Sequence, residues 1–337
     1  MNATPSSSRP RLVSVLLPVF NGERYLRASI QSVLDQTFGD FEIIAIDNGS
    51  TDGTAAILDG LTDARVRVVH QAHTSLALAL NRAIELARGQ YLARQDADDL
   101  SLPARFEQQV AFMEDHPECA LLGTRAAIWT DDRPSGRAHD HPTDDAALRF
   151  ELLFNNPFVH SSVMLRKSAV EAAGGYSTDA LRQPPEDYEL WSRLARRHAV
   201  ANLDERLVIY REVSASMSRQ GPNPFLEKLL LICAENLSAA LGMDGPSADL
   251  QDVAALTHTS YRHLSKHPDL ARMCSLVRAA AQRIHLSAPS SDVLERGEGR
   301  VAALHYQYLL YRLNIGWHRP LVRFARNLGA RLVFKRQ

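Results

Sequence analysis

Cysteine is scarce in this chain. Its three residues, Cys119, Cys233 and Cys274, stand far apart and outside any C-x-x-C spacing. So sparse and odd a set excludes a disulfide framework or a zinc site, and reads as reduced thiols of a cytoplasmic protein. Long apolar runs are also missing. Stretches such as Val15–Val19 and Leu229–Ala234 fall far short of the ~20 residues a spanning helix needs. The Ser/Pro-rich segment Met1–Arg11 has no apolar core, which excludes a signal peptide and predicts a disordered leader over 1–11. Neither charge dominates, with 38 Lys and Arg against 39 Asp and Glu, which argues against nucleic acid as a partner. Neither G-x-x-x-x-G-K-[ST] nor G-x-G-x-x-G occurs, so P-loop and dinucleotide readings fall away. No internal repeat is visible.

What is present is 337 residues of ordinary globular composition, a length that suggests about two domains. The first two-thirds alternates β-branched runs with amphipathic stretches. Strands are predicted at Val13–Val19, Phe41–Asp47, Val66–His70, Tyr91–Gln95 and Ala120–Trp129. Between them Leu26, Ile30, Val33 and Leu34, then Leu76, Leu80, Ala83, Ile84 and Ala87, mark helices with one buried face. A further helix is predicted from about Thr54 to Leu61, and another around Phe106, Val110 and Met113, with Ser101 as its cap and Pro103 in its first turn. Such alternation predicts an α/β fold with a mostly parallel sheet and helices on both faces. The breaker cluster Gln220-Gly221-Pro222-Asn223-Pro224 sets a boundary. Residues 12–220 then form the α/β domain and 221–337 an α-helical C-terminal domain, with helices expected over Phe225–Leu241, Ala248–Ser265, Leu270–Leu286 and, with interruptions, Arg300–Phe334.

From Gly299 to Gln337 there is no Asp or Glu, yet there are eight Lys and Arg residues. Leu321, Phe324, Leu328, Leu332 and Val333 add an apolar stripe, with Trp317 nearby. A basic helix of this kind can lie on an anionic lipid surface. The plainer reading is a helix packed on its own domain with a solvated basic face.

Ligands of parallel α/β sheets bind at the carboxyl ends of strands. Asp47 ends the second strand and opens Asp47-Asn48-Gly49-Ser50-Thr51-Asp52-Gly53, which can bring an acceptor carboxylate to a base or ribose, or simply close an Asx-turn. Asp96-Ala97-Asp98-Asp99 says more. Three carboxylates after a buried strand repel one another, and a bound Mg²⁺ or Mn²⁺ would relieve them. An EF-hand fails here because Ser101 stands where the sharp-turn glycine belongs, and a phosphatase D-x-D-x-T fails because Leu100 replaces the threonine. Third comes Pro184-Pro185-Glu186-Asp187-Tyr188-Glu189-Leu190-Trp191, which places Glu186 and Asp187 in a helix's first turn. There a carboxylate can serve the helix dipole or act as a general base.

These segments resemble an inverting glycosyltransferase of family 2 with the GT-A fold. The matching pieces run in family order over Val13–Ser218. They are Leu17-Pro18-Val19-Phe20-Asn21, Asp47-Asn48-Gly49-Ser50-Thr51-Asp52, Leu80-Asn81-Arg82, Tyr91 to Asp99, Asn156-Pro157-Phe158-Val159-His160 to Arg166, Gly174-Gly175-Tyr176, and Glu186 to Trp191. The resemblance implies a Rossmann-like sheet and a nucleotide-diphospho-sugar donor, a UDP-sugar first. It implies a sugar, polysaccharide or lipid-linked acceptor and a divalent metal, Mg²⁺ or Mn²⁺, with work in the cytoplasm at the inner membrane face. By position, Asp47 would bind the base, with Pro18, Phe20 and Asn21 lining its pocket. Asp96 would meet the ribose, Asp98 would ligate the metal, and Asp187 would be the catalytic base. Asp99, Glu186, His160 and Arg211 would support them, although His160 also reads as a structural histidine.

Two departures stand out. Asn48 occupies a place that is often Asp in the family. Glu212-Val213-Ser214 follows Tyr210-Arg211 where relatives often carry a His, leaving Arg211 or Arg219 as the cationic substitutes. A sugar nucleotidyltransferase is a rival reading, but Asn21-Gly22-Glu23-Arg24 lacks that class's Gly-rich basic loop. A catalytically silent binding or scaffold protein is a second; the retained Asp98 and Asp187 argue against it and the missing His for it.

Overall fold

A computed structural model of the chain describes residues 12–130, 132–212 and 224–315. Arg219 and the tail from residue 316 onward lie outside the described residues, as does the start of the breaker cluster. Two compact units are present, Met1–Lys228 and Leu229–Gln337.

In the first unit, strands β1 (Val13–Val19) and β2 (Phe41–Asp47) are buried at every position, and β3 (Val66–His70) lies beside β2. All three have the bounds that their apolar runs predict; β1 and β2, covered on both faces, need no polar alternation, while β3 lies at the sheet's edge and is only partly buried. Strand β4 (Tyr91–Arg94) pairs with β1, ending one residue before the predicted limit. Helices α1 (Leu26–Leu34), α2 (Thr54–Asp59) and α3 (Leu76–Leu86) connect them.

Five strands go beyond the sequence reading, one of them in part. β6 (Cys119–Thr130) extends the predicted Ala120–Trp129, while β5 (Leu100–Ser101), β7 (Arg133–His139), β8 (Met164–Arg166) and β9 (Ala199–Glu212) were not predicted. The nine strands form one sheet in the order β3-β2-β1-β4-β8-β6-β9-β5, with β7 on β6. The register makes β5, β7 and β8 antiparallel to their neighbours, and the other six share one direction. Helix α4 (Arg105–Asp115) begins later than predicted and has Ala104, not Ser101, at its N-cap. Ser101 belongs to β5, where its hydroxyl donates to Gln95 and accepts from Arg105. A helix α5 (Asp145–Glu151), a 3-10 turn at His160–Ser162, α6 (Lys167–Ala172) and α7 (Glu186–Ala195) complete the unit.

Helices build the rest: α8 (Leu226–Ala240), α9 (Ala248–Thr257), α10 (Leu270–Ser287) and α11 (Ser291–Ile315). Ser247 and Asp269 cap α9 and α10 by accepting the Leu250 and Arg272 amides. All three cysteines are buried and free. Among the described residues no helix is long and apolar enough to cross a membrane.

Candidate active site

The carboxyl ends of β1 and β2 are tied together by their loops. Pro18 is buried one residue before the end of β1, beyond the stretch that pairs with β4, so its missing N–H costs no ladder bond on that side. Phe20 is 48% exposed, with its ring centroid 4.2 Å from that of His73. Asn21 adopts a left-handed φ of 52°. Its side-chain oxygen accepts the Thr51 amide at 2.8 Å, and its own amide donates to Ser50 Oγ at 3.0 Å. Asn21 is therefore a strut between the loops that follow β1 and β2.

Asp47 is buried and accepts the Ser50 amide at 3.0 Å, while its other oxygen lies 2.9 Å from His70 Nδ1. Burial alone would raise its pKa, but the hydrogen bonds from Ser50 and His70 outweigh it and hold the carboxyl below its ordinary value. His70 Nε2 in turn lies 3.0 Å from Asp59, and the two carboxylates raise the imidazole's pKa. The amide at Asn48 has a structural cause. Its Nδ2 donates to the Thr74 carbonyl at 2.8 Å while Oδ1 accepts from Gln71, the Thr74 amide and the Thr74 hydroxyl. An aspartate there would face that carbonyl with a second acceptor, so this β3–α3 loop favours asparagine.

At the end of β4 the fold buries a cation beside the acidic run. Arg94 is 1% exposed and reaches Asp96 at 2.5 Å. Desolvation alone would raise the Asp96 pKa, but the Arg94 charge holds it below the carboxylate norm. Asp99 is buried and spent on structure, accepting from Ser161 Oγ and from the Arg211 amide at 2.8 Å. Burial and the neighbouring Asp96 push its pKa well up. Asp98 is different. Among the described residues its carboxylate takes a hydrogen bond from its own amide and none from another residue. Desolvation and the Asp96 charge push it up to about 6. Arg211 holds the Asp98 carbonyl at 2.7 Å, stands 3.2 Å from Asp132, and lies over the Tyr25 ring.

Among the described residues no three His, Cys, Asp or Glu side chains group to cage an ion. A hard divalent cation bridging a diphosphate needs only one or two protein carboxylates. Asp98, half-buried and without a hydrogen bond from another residue among the described residues, fits that demand.

The first turn of α7 supplies the other acids. Asp187 accepts from Asn156 Nδ2 at 2.8 Å on one oxygen and from the Tyr188 amide at 2.7 Å on the other. Burial, then the Asp96 charge, raise its pKa. Glu186, 8% exposed, is driven up to about 7 by burial and by Asp187. His160 lies 3.2 Å from the Tyr176 hydroxyl and edge-on to Trp191, and desolvation lowers its pKa to about 3. A neutral imidazole packed edge-on against an aromatic ring suits a structural role. Tyr176 is set by Asn81, which bonds both its amide and its carbonyl at 2.8 Å, across Gly175, where φ is 73°. A Cβ at Gly175 would fall 2.6 Å from Asn81 Oδ1, so glycine is required.

Asp96 thus raises the pKa of Asp98 and Asp99 on its own loop and of Asp187 on α7. The sequence reading passed over Arg94, Asn156 and His70 as actors. An arginine closing an otherwise apolar strand just before three aspartates was one available signal. His70 was another, since it ends β3 opposite Asp47.

A family model described as glycosyl transferase family 2 matches residues 14–174. The amylovoran biosynthesis glycosyltransferase AmsE of Erwinia amylovora is 32% identical over 215 residues, 62% of this chain and 79% of AmsE. The chain belongs to glycosyltransferase family 2. This family 2 member also shares its fold with solved structures. TarS of S. aureus, crystallised as residues 1–349 with UDP-GlcNAc, superposes with a TM-score of 0.59 at 15% identity, covering 90% of this chain and 92% of that one. The mannosyltransferase PcManGT of Pyrobaculum calidifontis, in complex with GDP-Man and Mn²⁺, gives 0.50 at 16% identity over 91% and 88%. The family 2 chain has the GT-A-like sheet with C-terminal helices that its motifs imply.

Proposed function

We propose that this glycosyltransferase moves a sugar from a nucleotide-diphosphate donor, a UDP-sugar, to an acceptor hydroxyl with inversion, in the synthesis of a surface polysaccharide or glycolipid. The observation that carries the reading is electrostatic. One carboxylate, Asp96, raises the pKa of both Asp98 and the helix-borne Asp187, which supports placing the metal ligand and the base in one acidic neighbourhood. The UDP-GlcNAc bound to TarS and the GDP-Man bound to PcManGT support the donor class, and the name of AmsE supports a polysaccharide product.

Asp47 keeps lone pairs beyond its two hydrogen bonds for a base N–H. Phe20 offers an exposed ring, and Pro18 and Asn21 frame the same end. Asp96 meets the ribose, while Asp98 would hold Mg²⁺ or Mn²⁺, with its loop fixed by Arg211 and Asp99. Bound there, the cation supplies Lewis-acid stabilisation to the departing diphosphate. Asp187 takes the acceptor hydroxyl's proton as that oxygen attacks the anomeric carbon opposite the leaving group, and its raised pKa makes it the stronger base. Glu186, which burial and the Asp187 charge push up to about 7, stands beside it on the same helix turn as a supporting acid, and His160 walls the site. Single displacement inverts the configuration. Transfer chemistry is assigned to residues 12–220 in the cytoplasm. The basic segment after Gly299 would hold the chain at the inner membrane face, and Tyr306, Leu309 and Leu313 are exposed apolar side chains on α11.

Asp187→Asn should abolish transfer with nucleotide-sugar binding near normal. Unchanged turnover would remove Asp187 as the base. Calorimetry of UDP on Asp98→Ala should show an affinity that no longer responds to Mn²⁺. A response as large as in the wild type would remove Asp98 as the metal ligand.

A further inference from the structure

We propose that Asn156 is the positioning residue for the Asp187 carboxylate, setting its rotamer and keeping it ready to accept a proton. This rests on Asp187 being the base, as proposed above. Asn156 stands in the loop between α5 and the 3-10 turn at His160–Ser162, 31 residues from Asp187 in sequence. Its amide orientation is fixed by its own contacts. Oδ1 accepts the Phe158 amide at 3.1 Å, so Nδ2 must face the carboxylate, at 2.8 Å. The other Asp187 oxygen takes the Tyr188 amide. Each oxygen is thereby held by a neutral donor from another residue, Asn156 on one side and Tyr188 on the other.

The groups around Asp187 give that single side-chain donor its weight. Glu186 on the same helix and Asp96 after β4 are acidic, Arg94 on β4 is cationic, and the Tyr176 phenol is near enough to feel the Asp187 charge. Arg94 spends its hydrogen bonds on Gln95 and Asp96, not on Asp187. Without Asn156 the carboxylate could swing about χ2, and burial beside Asp96 would favour its protonated form.

The isosteric variant separates positioning from loop architecture. Asn156→Asp keeps an oxygen to accept the Phe158 amide, so the loop retains its bond, but it removes the donor to Asp187 and puts two carboxylates within hydrogen-bond reach of one shared proton. The assay uses the full chain with whichever of UDP-GlcNAc, UDP-Glc, UDP-Gal and GDP-Man the wild type turns over fastest. In parallel, ¹³C titration of the aspartate carboxyls, assigned with Asp187→Asn, needs no ligand. Asn156→Asp should lower kcat by about 30-fold or more with donor KM within about 2-fold, and should move the acid limb of kcat and the Asp187 carboxyl titration upward by about one pH unit or more. Asn156→Ala should lower kcat about 10-fold with the same split. An Asn156→Asp enzyme with normal kcat and an unmoved Asp187 titration overturns the proposal, and so does a loss carried equally by donor KM and thermal stability. If Asp187→Asn is inactive while Asn156→Asp behaves as wild type, the positioning role alone is lost. If Asp187→Asn stays active, the base reading falls and this role with it.

Discussion

Glu186 should cost this protein stability at neutral pH, and removing its charge should return it. The side chain is 8% exposed, its carboxylate receives a hydrogen bond only from its own amide among the described residues, and its neighbour Asp187 is also an acid. Burial and that neighbour lift its pKa from 4.5 to about 7. In the unfolded chain the proton is lost near 4.5, whereas in the fold it is kept until about 7. Below the first value both states are protonated and the group contributes nothing. Between the two the fold holds a proton that the unfolded chain has released, so stability falls as pH rises, and above about 7 the whole penalty is present. At ~1.36 kcal/mol per pKa unit the penalty is on the order of 3 kcal/mol, less whatever part of the shared proton Asp187 takes. Glu186→Gln keeps the shape and removes the charge. Urea unfolding, followed by the fluorescence to which the buried Trp191 on the same helix contributes, should show the variant more stable by about 2–3 kcal/mol at about pH 8 and no different at about pH 4. A variant equal to the wild type at the higher pH, or one shifted alike at both, would refute the reasoning.

Gly89→Ala should lower the urea midpoint by the equivalent of about 1–3 kcal/mol with an unchanged slope, because its Cβ would fall 2.6 Å from the Ser14 backbone nitrogen. Arg105 is fully buried and donates to Gln95, Ser101, Gln109 and the carbonyls of Arg94 and Val163; Arg105→Met should cost about 3–5 kcal/mol in the same experiment, and a neutral result would mean those acceptors find other donors. Deleting the residues after Gly316 should cut sedimentation with anionic vesicles at low salt to the level seen with neutral ones, and undiminished binding would return the basic segment to a solvated surface.

The strands that carry the donor end were legible because burial writes itself into their composition. VSVLLPV and FEIIAID are fully covered strands with their limits marked by polar turns. β9 escaped for the opposite reason. Asp204, Glu205 and Arg206 stand exposed in its middle, where its register against β6 is irregular, so it reads as a loop although it runs fourteen residues. The two-residue β5 is too short to carry a pattern, and Ser101 beside Pro103 imitates a helix cap. In the candidate site, the crowding of Asp96, Asp98 and Asp99 marks that loop from the sequence, whereas Glu186 and Asp187 read equally as helix-dipole acids and are singled out by the family resemblance. Asn156 and Arg94 matter through partners fixed only by folding, and nothing local distinguishes that asparagine from any other before a proline. Arg211 fell between these cases. Its position after Tyr210 marked it, but its grip on the Asp98 carbonyl crosses 113 residues.

The way the fold distributes its cations bears on how the site takes its ligands. Arg94 is committed to Asp96, and Arg105 reaches only neutral acceptors by hydrogen bond while desolvation pulls its pKa down to about 9. Asp99 is absorbed by Ser161 and the Arg211 amide. What remains in that loop without a hydrogen bond from another residue is Asp98, one carboxylate that feels Arg94 and Arg211 through charge alone, with no group of three ligands around it among the described residues. A cation alone would gain little there, since one carboxylate replaces few of its waters; a diphosphate alone would meet an acid-rich loop. With Asp98 as the proposed ligand, each would neutralise what the other lacks, and their binding should be cooperative. Stabilisation of the fold follows ligand concentration over Kd, and the thermal shift given by Mn²⁺ with UDP should exceed the two separate shifts combined. If Mn²⁺ alone produced the full shift and UDP added nothing, the ion would be held by the protein's own ligands, and the diphosphate-bridged arrangement would have to be given up.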